Sequence, residues 1–269
     1  MHPILFRFNG RPITTYLVLY TIAIIFGIYV IMRLSRKDGL DLQEIFVAAL
    51  LITLAGKFGA QIYSVILTFF QDISSIKHPA KLYYVFKTGG AFHGAFLFGG
   101  LFAYFYLKKI FKENFLKVFD NSFVGFALTQ AIGRLGCFSA GCCFGRPTNL
   151  PWGMDFPHLG MRIHPMHGVK IHPTQLYESF LDFINFVFLY MLWKRKKFDG
   201  QLTAHYLINY GLIRFFVEYF RGDTFGRGYV LHTKSPFLSL SIPQLWSLIM
   251  IIGGFYLLKK LSSRVTIKE

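Results

Sequence analysis

The sequence predicts an all-α integral membrane protein of about seven transmembrane helices. The N-terminus lies outside, the C-terminus in the cytoplasm, and a small irregular head sits on the extracytoplasmic face. Three observations predict this. Over 269 residues the chain is 54% hydrophobic and 19% aromatic, whereas soluble domains are roughly 45–50% apolar. The apolar residues fall into blocks close to the ~20 residues a helix needs to cross a bilayer. The Lys and Arg residues gather between those blocks, more densely in alternate connections, which is the asymmetry that orients membrane helices.

In order, the blocks are 13–32, 42–68, 91–108, 118–143, 175–193, 202–221 and 239–258. The first has no basic run before it and no small-residue cleavage site after it, and Arg33, Arg36 and Lys37 follow. It therefore reads as a retained helix with its basic end in the cytoplasm. The connections 33–40, 109–117, 194–201 and the tail after 258 are densely basic, with Lys194, Arg195, Lys196 and Lys197 in one run. The connections 72–90, 144–174 and 222–238 are longer and more sparsely basic, which assigns them to the outside. Pro147, Pro151, Pro157, Pro165 and Pro173 make 144–174 an irregular head, joined by 72–90 and 222–238. With no repeat and no low-complexity tract, residues 1–269 are expected to form a single polytopic membrane domain.

The net charge of +16 would point to nucleic acid in a soluble protein. Here the charges lie between apolar blocks and no nucleic-acid motif accompanies them. Topology and anionic membrane lipids account for them, and no nucleic-acid partner is expected.

Several ionisable residues stand inside the blocks: Lys57, His93, Arg134, Glu178, Arg214 and Glu218. Each costs ~2.5–3.5 kcal/mol at a helix centre on insertion scales, so each must be paired, near an interface or functional. Arg214 and Glu218 are four apart and can neutralise each other, with Tyr210 and Arg221 on the same face. Arg134 and Arg214 fall in the outer halves of their helices. His93 falls near the outer start of its own, beside Gly89, Gly90, Ala91 and Gly94, whose small size lets a substrate or a neighbouring helix approach. Two arginines and a histidine at one depth suggest a cavity for an anion such as a lipid phosphate, because a guanidinium binds phosphate bidentately and stays charged in a dry site. An anion transporter is the competing reading, but it predicts internal repeats and paired broken helices that the sequence lacks. A lipid-binding assembly subunit is a third.

Cys137, Cys142 and Cys143 are the only cysteines. Three readings stand for them: small buried thiols packing a helix end, an extracytoplasmic disulfide, or a metal site joined by His158, His164, His167 or His172. The first is preferred, and neither metal nor cofactor is expected.

Five pieces lie in order along nearly the whole chain: Tyr16; Phe92-His93-Gly94; Gly133-Arg134-Leu135-Gly136 with Gly145-Arg146; His172-Pro173-Thr174-Gln175-Leu176-Tyr177-Glu178; and Tyr210-Gly211-Leu212-Ile213-Arg214 with Val217-Glu218-Tyr219-Phe220-Arg221. In these pieces the sequence resembles the bacterial prolipoprotein diacylglyceryl transferase family. The resemblance implies an enzyme of the bacterial cytoplasmic (inner) membrane, its active site toward the outer leaflet. Its reaction moves a diacylglyceryl group from phosphatidylglycerol to the lipobox cysteine thiol of a prolipoprotein signal peptide, leaving a thioether and releasing glycerol 1-phosphate. By the same resemblance His93, Arg134 and Arg214 would be catalytic: His93 takes the thiol proton and the arginines stabilise the leaving phosphate. Tyr16, Gly145 and Tyr210 would line the headgroup site with the arginines, and Glu218 would orient Arg214. His172, Tyr177 and Glu178 would complete the substrate-binding set; His172 and Glu178 either brace the head or cap the helix that begins at 175. One departure stands out. Where the family signature has Asn, Asn and Glu, this chain has Cys137, Ala140 and Cys142, and Lys57 replaces a family arginine. Those exchanges bear on the acceptor and on activity, not on the fold.

Overall fold

The structure, a computed structural model, describes residues 3–71, 79–88, 92–112, 115–159, 162–222, 229–231 and 239–266. Within them lie eight helices: α1 (Thr15–Lys37), α2 (Leu42–Gln71), α3 (Pro79–Thr88), α4 (Phe92–Phe111), α5 (Phe115–Ala140), α6 (Thr174–Trp193), α7 (Gln201–Glu218) and α8 (Ile242–Thr266). Three two-stranded antiparallel sheets accompany them, pairing β1 (Ile4–Phe8) with β2 (Arg11–Thr14), β3 (His158–Leu159) with β4 (Arg162–Ile163), and β5 (Tyr229–Leu231) with β6 (Leu240–Ser241).

Every helix except α3 falls on a predicted apolar block. The differences have local causes. The block at 13–32 starts too early, because Ile13 and Thr14 belong to β2. Asn9 and Gly10 take φ of 48° and 74°, the left-handed pair that turns a tight hairpin, so the fold is mostly rather than wholly α. Helix α3 forms inside the expected connection 72–90, with Pro79 at its first position, where a missing N–H costs nothing. Helix α5 stops at Ala140 instead of 143. Gly141 there adopts φ +74° and its N–H bonds the Phe138 carbonyl at 3.2 Å, so Cys142 and Cys143 lie beyond the helix.

Among the described residues five helices are long and apolar enough to cross a membrane, within α1, α2, α5, α6 and α8. Helices α4 and α7 stand at predicted positions outside that group, and α7 carries Gln201, His205, Asn209, Arg214 and Glu218. The chain is a mostly helical, multi-pass membrane protein.

It divides into two compact units, one of residues 32–118 and one of residues 1–31 with 119–269. In the first, α2 and α4 meet through glycines. A side chain on Gly94 would collide with Tyr63, and a Cβ on Gly99 would stand 3.2 Å from the Cα of Gly56. Gly94 thus admits a neighbouring helix, the close approach that packs helices in lipid. Gly89, Gly90 and Ala91 lie outside the described residues, as do 72–78, 223–228 and 232–238.

In the second unit α7 crosses α8 at Gly211 and Gly254, where added Cβ atoms would stand 2.9 Å from the Ser247 carbonyl oxygen and 2.8 Å from that of Ala204. Polar bonds tie the other helices: Ser179 Oγ donates to the Ala131 carbonyl at 2.7 Å, and Asn209 Nδ2 donates to Asn185 Oδ1 at 2.9 Å. The described residues of 144–173 form no helix and pack Phe144, Phe156 and Ile171 around Phe138 and Met166.

Candidate active site

A fully buried carboxylate anchors the site. Glu178, in the second turn of α6, is 0% exposed. Arg134 Nη2 on α5 donates to its Oε1 at 2.7 Å, Arg214 Nη1 on α7 stands 3.5 Å from the same oxygen, and Arg221 Nη1 lies 3.9 Å from Oε2. Arg214 Nη2 also pairs with Glu218 Oε2 at 3.0 Å. Two helices and the turn after α7 therefore bring three guanidiniums to one carboxylate. With Glu218 and Asp182, three carboxylates stand among the three arginines. In a low-dielectric site, guanidinium donors that those carboxylates do not fully engage can bind an anion. Arg214 Nη1 is buried without a hydrogen bond, a donor a ligand oxygen could take.

Tyr210 is buried one turn before Arg214, its ring stacked on Tyr206 at 5.6 Å, while Tyr206 donates its hydroxyl to Gln130 Oε1 at 2.6 Å. Asp182, one turn beyond Glu178 on α6, is buried with neither carboxylate oxygen hydrogen-bonded. Sequence reasoning did not select Asp182 and took Arg221 only as part of a polar stripe. The four-residue spacing of Glu178 and Asp182 inside an apolar block was the available signal for the former. The seven-residue spacing of Arg214 and Arg221, two turns of one face, was the signal for the latter.

Gly145 is buried in a seam of backbone bonds. Its N–H donates to the His172 carbonyl at 2.9 Å, and the flanking Arg146 N–H donates to Phe220 O at 2.8 Å. Any side chain there would strike His172 and the Phe220 carbonyl, so glycine is required for this close approach. The seam joins the start of α6 to the end of α7, the two segments that carry Glu178 and Arg221.

His172 Nδ1 lies 3.1 Å from the Tyr177 hydroxyl, which accepts a 2.8 Å bond from Trp152 Nε1, and its ring packs edge-on to Phe220 at 5.2 Å. His172 and Tyr177 thus bond to each other, and burial holds the His172 imidazole below its ordinary value. Pro173 precedes α6 with no side-chain cap. Glu178 is engaged by arginines, so capping is not what either His172 or Glu178 does here.

Tyr16, in the first turn of α1, packs against Gly136 and lies within electrostatic reach of Cys137, Cys142 and Cys143. Lys57 is exposed on α2. His93 occupies the first turn of α4 in the other compact unit, and its side chain lies outside the described residues.

Residues 3–259 match the family profile of prolipoprotein diacylglyceryl transferase. The phosphatidylglycerol–prolipoprotein diacylglyceryl transferase of Clostridioides difficile is 34% identical over 274 residues, covering 99% of each chain. Its counterpart in Finegoldia magna is 35% identical over 269 residues, covering 98% of each. That of Clostridium tetani is 33% identical over 240 residues, 89% of this chain and 93% of the relative. On matches of this extent, the chain belongs to the prolipoprotein diacylglyceryl transferase family.

Proposed function

We propose that this protein transfers the diacylglyceryl group of phosphatidylglycerol to the lipobox cysteine of prolipoprotein signal peptides, forming a thioether and releasing glycerol 1-phosphate. The convergence of Arg134, Arg214 and Arg221 on Glu178 carries this reading. As the glyceryl carbon–oxygen bond breaks, negative charge grows on the departing phosphate. Guanidiniums already fixed by a buried carboxylate oppose that charge without reorganising at the moment of reaction. Removing one such donor typically costs about 10²–10³ in rate. Alignment of the acceptor thiol with the glyceryl carbon supplies a further ~7–11 kcal/mol in well-oriented systems.

The remaining roles follow from position. Arg134 and Arg214 hold the phosphate, Tyr210 lines the headgroup site beside them, and Tyr16 lines its edge near the cysteines. Glu178 and Glu218 hold the arginine forks. Gly145 contributes by keeping the 172 and 220–222 backbones together, and His172 with Tyr177 braces that seam from outside. His93 keeps the role its motif implies, acceptor of the thiol proton, because imidazole titrates nearest neutral pH.

The reading places seven spans in the bacterial inner membrane, N-out and C-in, with the site toward the outer leaflet and residues 144–174 as its head. Its support is the position of the basic residues. Arg36 and Lys37 end α1, Lys108 and Lys109 end α4, Lys194 to Lys197 follow α6, and Lys259 and Lys260 lie in α8. These runs alternate as crossings by α4 and α7 require. The polar groups of α7 are engaged within the unit, Arg214 by glutamates and Asn209 by Asn185, which lowers the cost of placing that helix in lipid.

The test is rescue of a cell depleted of its own transferase. The unaltered gene and Arg195→Ala restore growth, whereas Arg134→Ala and Arg214→Ala do not. Rescue by both arginine variants would remove the site. Cys137, Ala140 and Cys142 favour one second reading, a transferase with another acceptor. It is recognised by loss of phosphatidylglycerol with no lipidated prolipoprotein formed.

A further inference from the structure

The proposed reaction alkylates a thiol, and a thiol is a weak nucleophile until its proton is gone. Near Arg134 the chain carries donors suited to that problem. The sulfurs of Cys137, Cys142 and Cys143 all lie within 4.8 Å of one another, each half-buried. Three thiolates at ~2.3 Å from a single zinc stand roughly 3.8 Å apart, so little adjustment separates this cluster from a tris-thiolate site.

The cluster is built by its backbone. After α5 ends, Gly141 takes φ +74° and Cys143 φ +62°, a left-handed conformation that non-glycine residues seldom adopt. Three side chains hold the turn. Thr174 Oγ1 donates to the Cys143 carbonyl and Gln175 Nε2 to the Cys142 carbonyl, both at 2.7 Å. His164 accepts the Met166 N–H on Nδ1 at 3.0 Å, which leaves Nε2 to donate to the Gly141 carbonyl at 3.2 Å. Left-handed backbone held at a non-glycine residue marks places where geometry serves a purpose.

Charge agrees. The Arg221 and Arg134 guanidiniums lie within electrostatic reach of Cys143. Arg134 also lies within electrostatic reach of Cys137. A dication bound by three thiolates has a net negative charge, and the two arginines offset it. Sulfur donors select soft or borderline ions over magnesium and calcium. Three protein ligands with one open position is the arrangement of catalytic zinc.

We propose that Cys137, Cys142 and Cys143 hold a zinc ion whose open position receives the acceptor cysteine as a thiolate poised for alkylation. This rests on the transferase reading above. The acceptor S–H bond breaks on coordination, since a thiol bound to zinc is deprotonated outright. The sulfur forms its bond to the glyceryl carbon, the carbon–oxygen bond to phosphate breaks, and the proton ends on the departing phosphate monoester. No oxidant or reductant is needed. The site replaces the polar side chains that the family carries at two of these positions and makes the thiol more acidic; His93 accepts the proton it loses, and the departing phosphate monoester finally holds it.

The experiment uses the purified full-length protein in detergent, with metal content, cobalt spectra and transfer measured on the same samples. We expect about one zinc per chain. Cobalt exchanged into the apoprotein gives a thiolate charge-transfer band. A lipobox peptide with cysteine changes that band, and the same peptide with serine does not. Cys142→Ser loses the retained zinc, stripping the metal abolishes transfer, and zinc restores it. Should Cys142→Ser fail to fold, the cobalt spectra of the unaltered protein decide. An active protein without metal overturns the inference, as does a disulfide among the three cysteines or a cobalt band unmoved by the cysteine peptide. A cobalt band that responds to the peptide in a protein that transfers nothing upholds the thiol site and sinks the transferase reading instead.

Discussion

Asp120 on α5 and Glu178 on α6 are both carboxylates with no exposed surface, and they are surrounded in opposite ways. Asp120 accepts from the backbone N–H groups of Gly200 and Thr203 at 2.9 Å and from the Thr203 hydroxyl at 2.8 Å, with Lys196 3.8 Å away. Those donors are the start of α7, so Asp120 closes a helix end from a distant part of the chain. Among the described residues Glu178 meets no backbone donor. Its partners are three long cationic side chains at 2.7, 3.5 and 3.9 Å. The first carboxylate completes architecture with three fixed neutral donors, and the cation Lys196 is the more distant partner. The second collects charge that a substrate anion can share. Burial alone does not separate structure from function here; the kind of partner does.

The sharpest way to break the comparison is to remove the second carboxylate. Glu178→Ala leaves three guanidiniums without their common partner, and breaking a buried ion pair typically costs about 3–5 kcal/mol. Thermal unfolding in detergent should show that loss, together with loss of transfer. Next come Arg134→Ala and Arg214→Ala, expected to lower kcat for transfer by about 10²–10³, read by steady-state assay with phosphatidylglycerol and a lipobox peptide.

Asp120→Asn should do the reverse. It weakens hydrogen bonds to a charged group, worth about 1.5–3 kcal/mol, so the melting temperature falls. Transfer per folded molecule stays unchanged. A rate loss in Asp120→Asn matching that of the arginine variants would erase the distinction.

The smallest effect concerns the turn that carries the cysteines. Burial lowers the His164 pKa, so below about pH 6.5 the unfolded chain takes up a proton that the folded chain does not. Stability is therefore full above the unfolded value and falls as pH drops toward the folded one. Melting curves from pH 8 to 5 should show that slope, reduced in His164→Gln.

The contrast also explains what could be read in advance. The seven blocks were visible because apolar runs of membrane length are conspicuous. Arg134, Glu178 and Arg214 were visible because charges inside such runs are costly. Asp120 was not, since it sits near a block boundary and its partners lie about 80 residues away, as the separations to Gly200 and Thr203 show. The role of Gly145 was hidden for the same reason, its neighbours being the distant backbones of His172 and Phe220. The Asn9-Gly10 turn was legible and passed over, because an apolar block beginning at 13 drew the eye past a hairpin. Arg221 was assigned to the right face, but only the fold brings it to a glutamate on another helix.

Mass spectrometry of a synthetic lipobox peptide incubated with phosphatidylglycerol and the purified protein tests the central claim most directly. The account predicts a diacylglyceryl adduct on the peptide cysteine with the unaltered protein, and none with the Arg134→Ala, Arg214→Ala double variant in its folded state. Equal adduct from both proteins would contradict it.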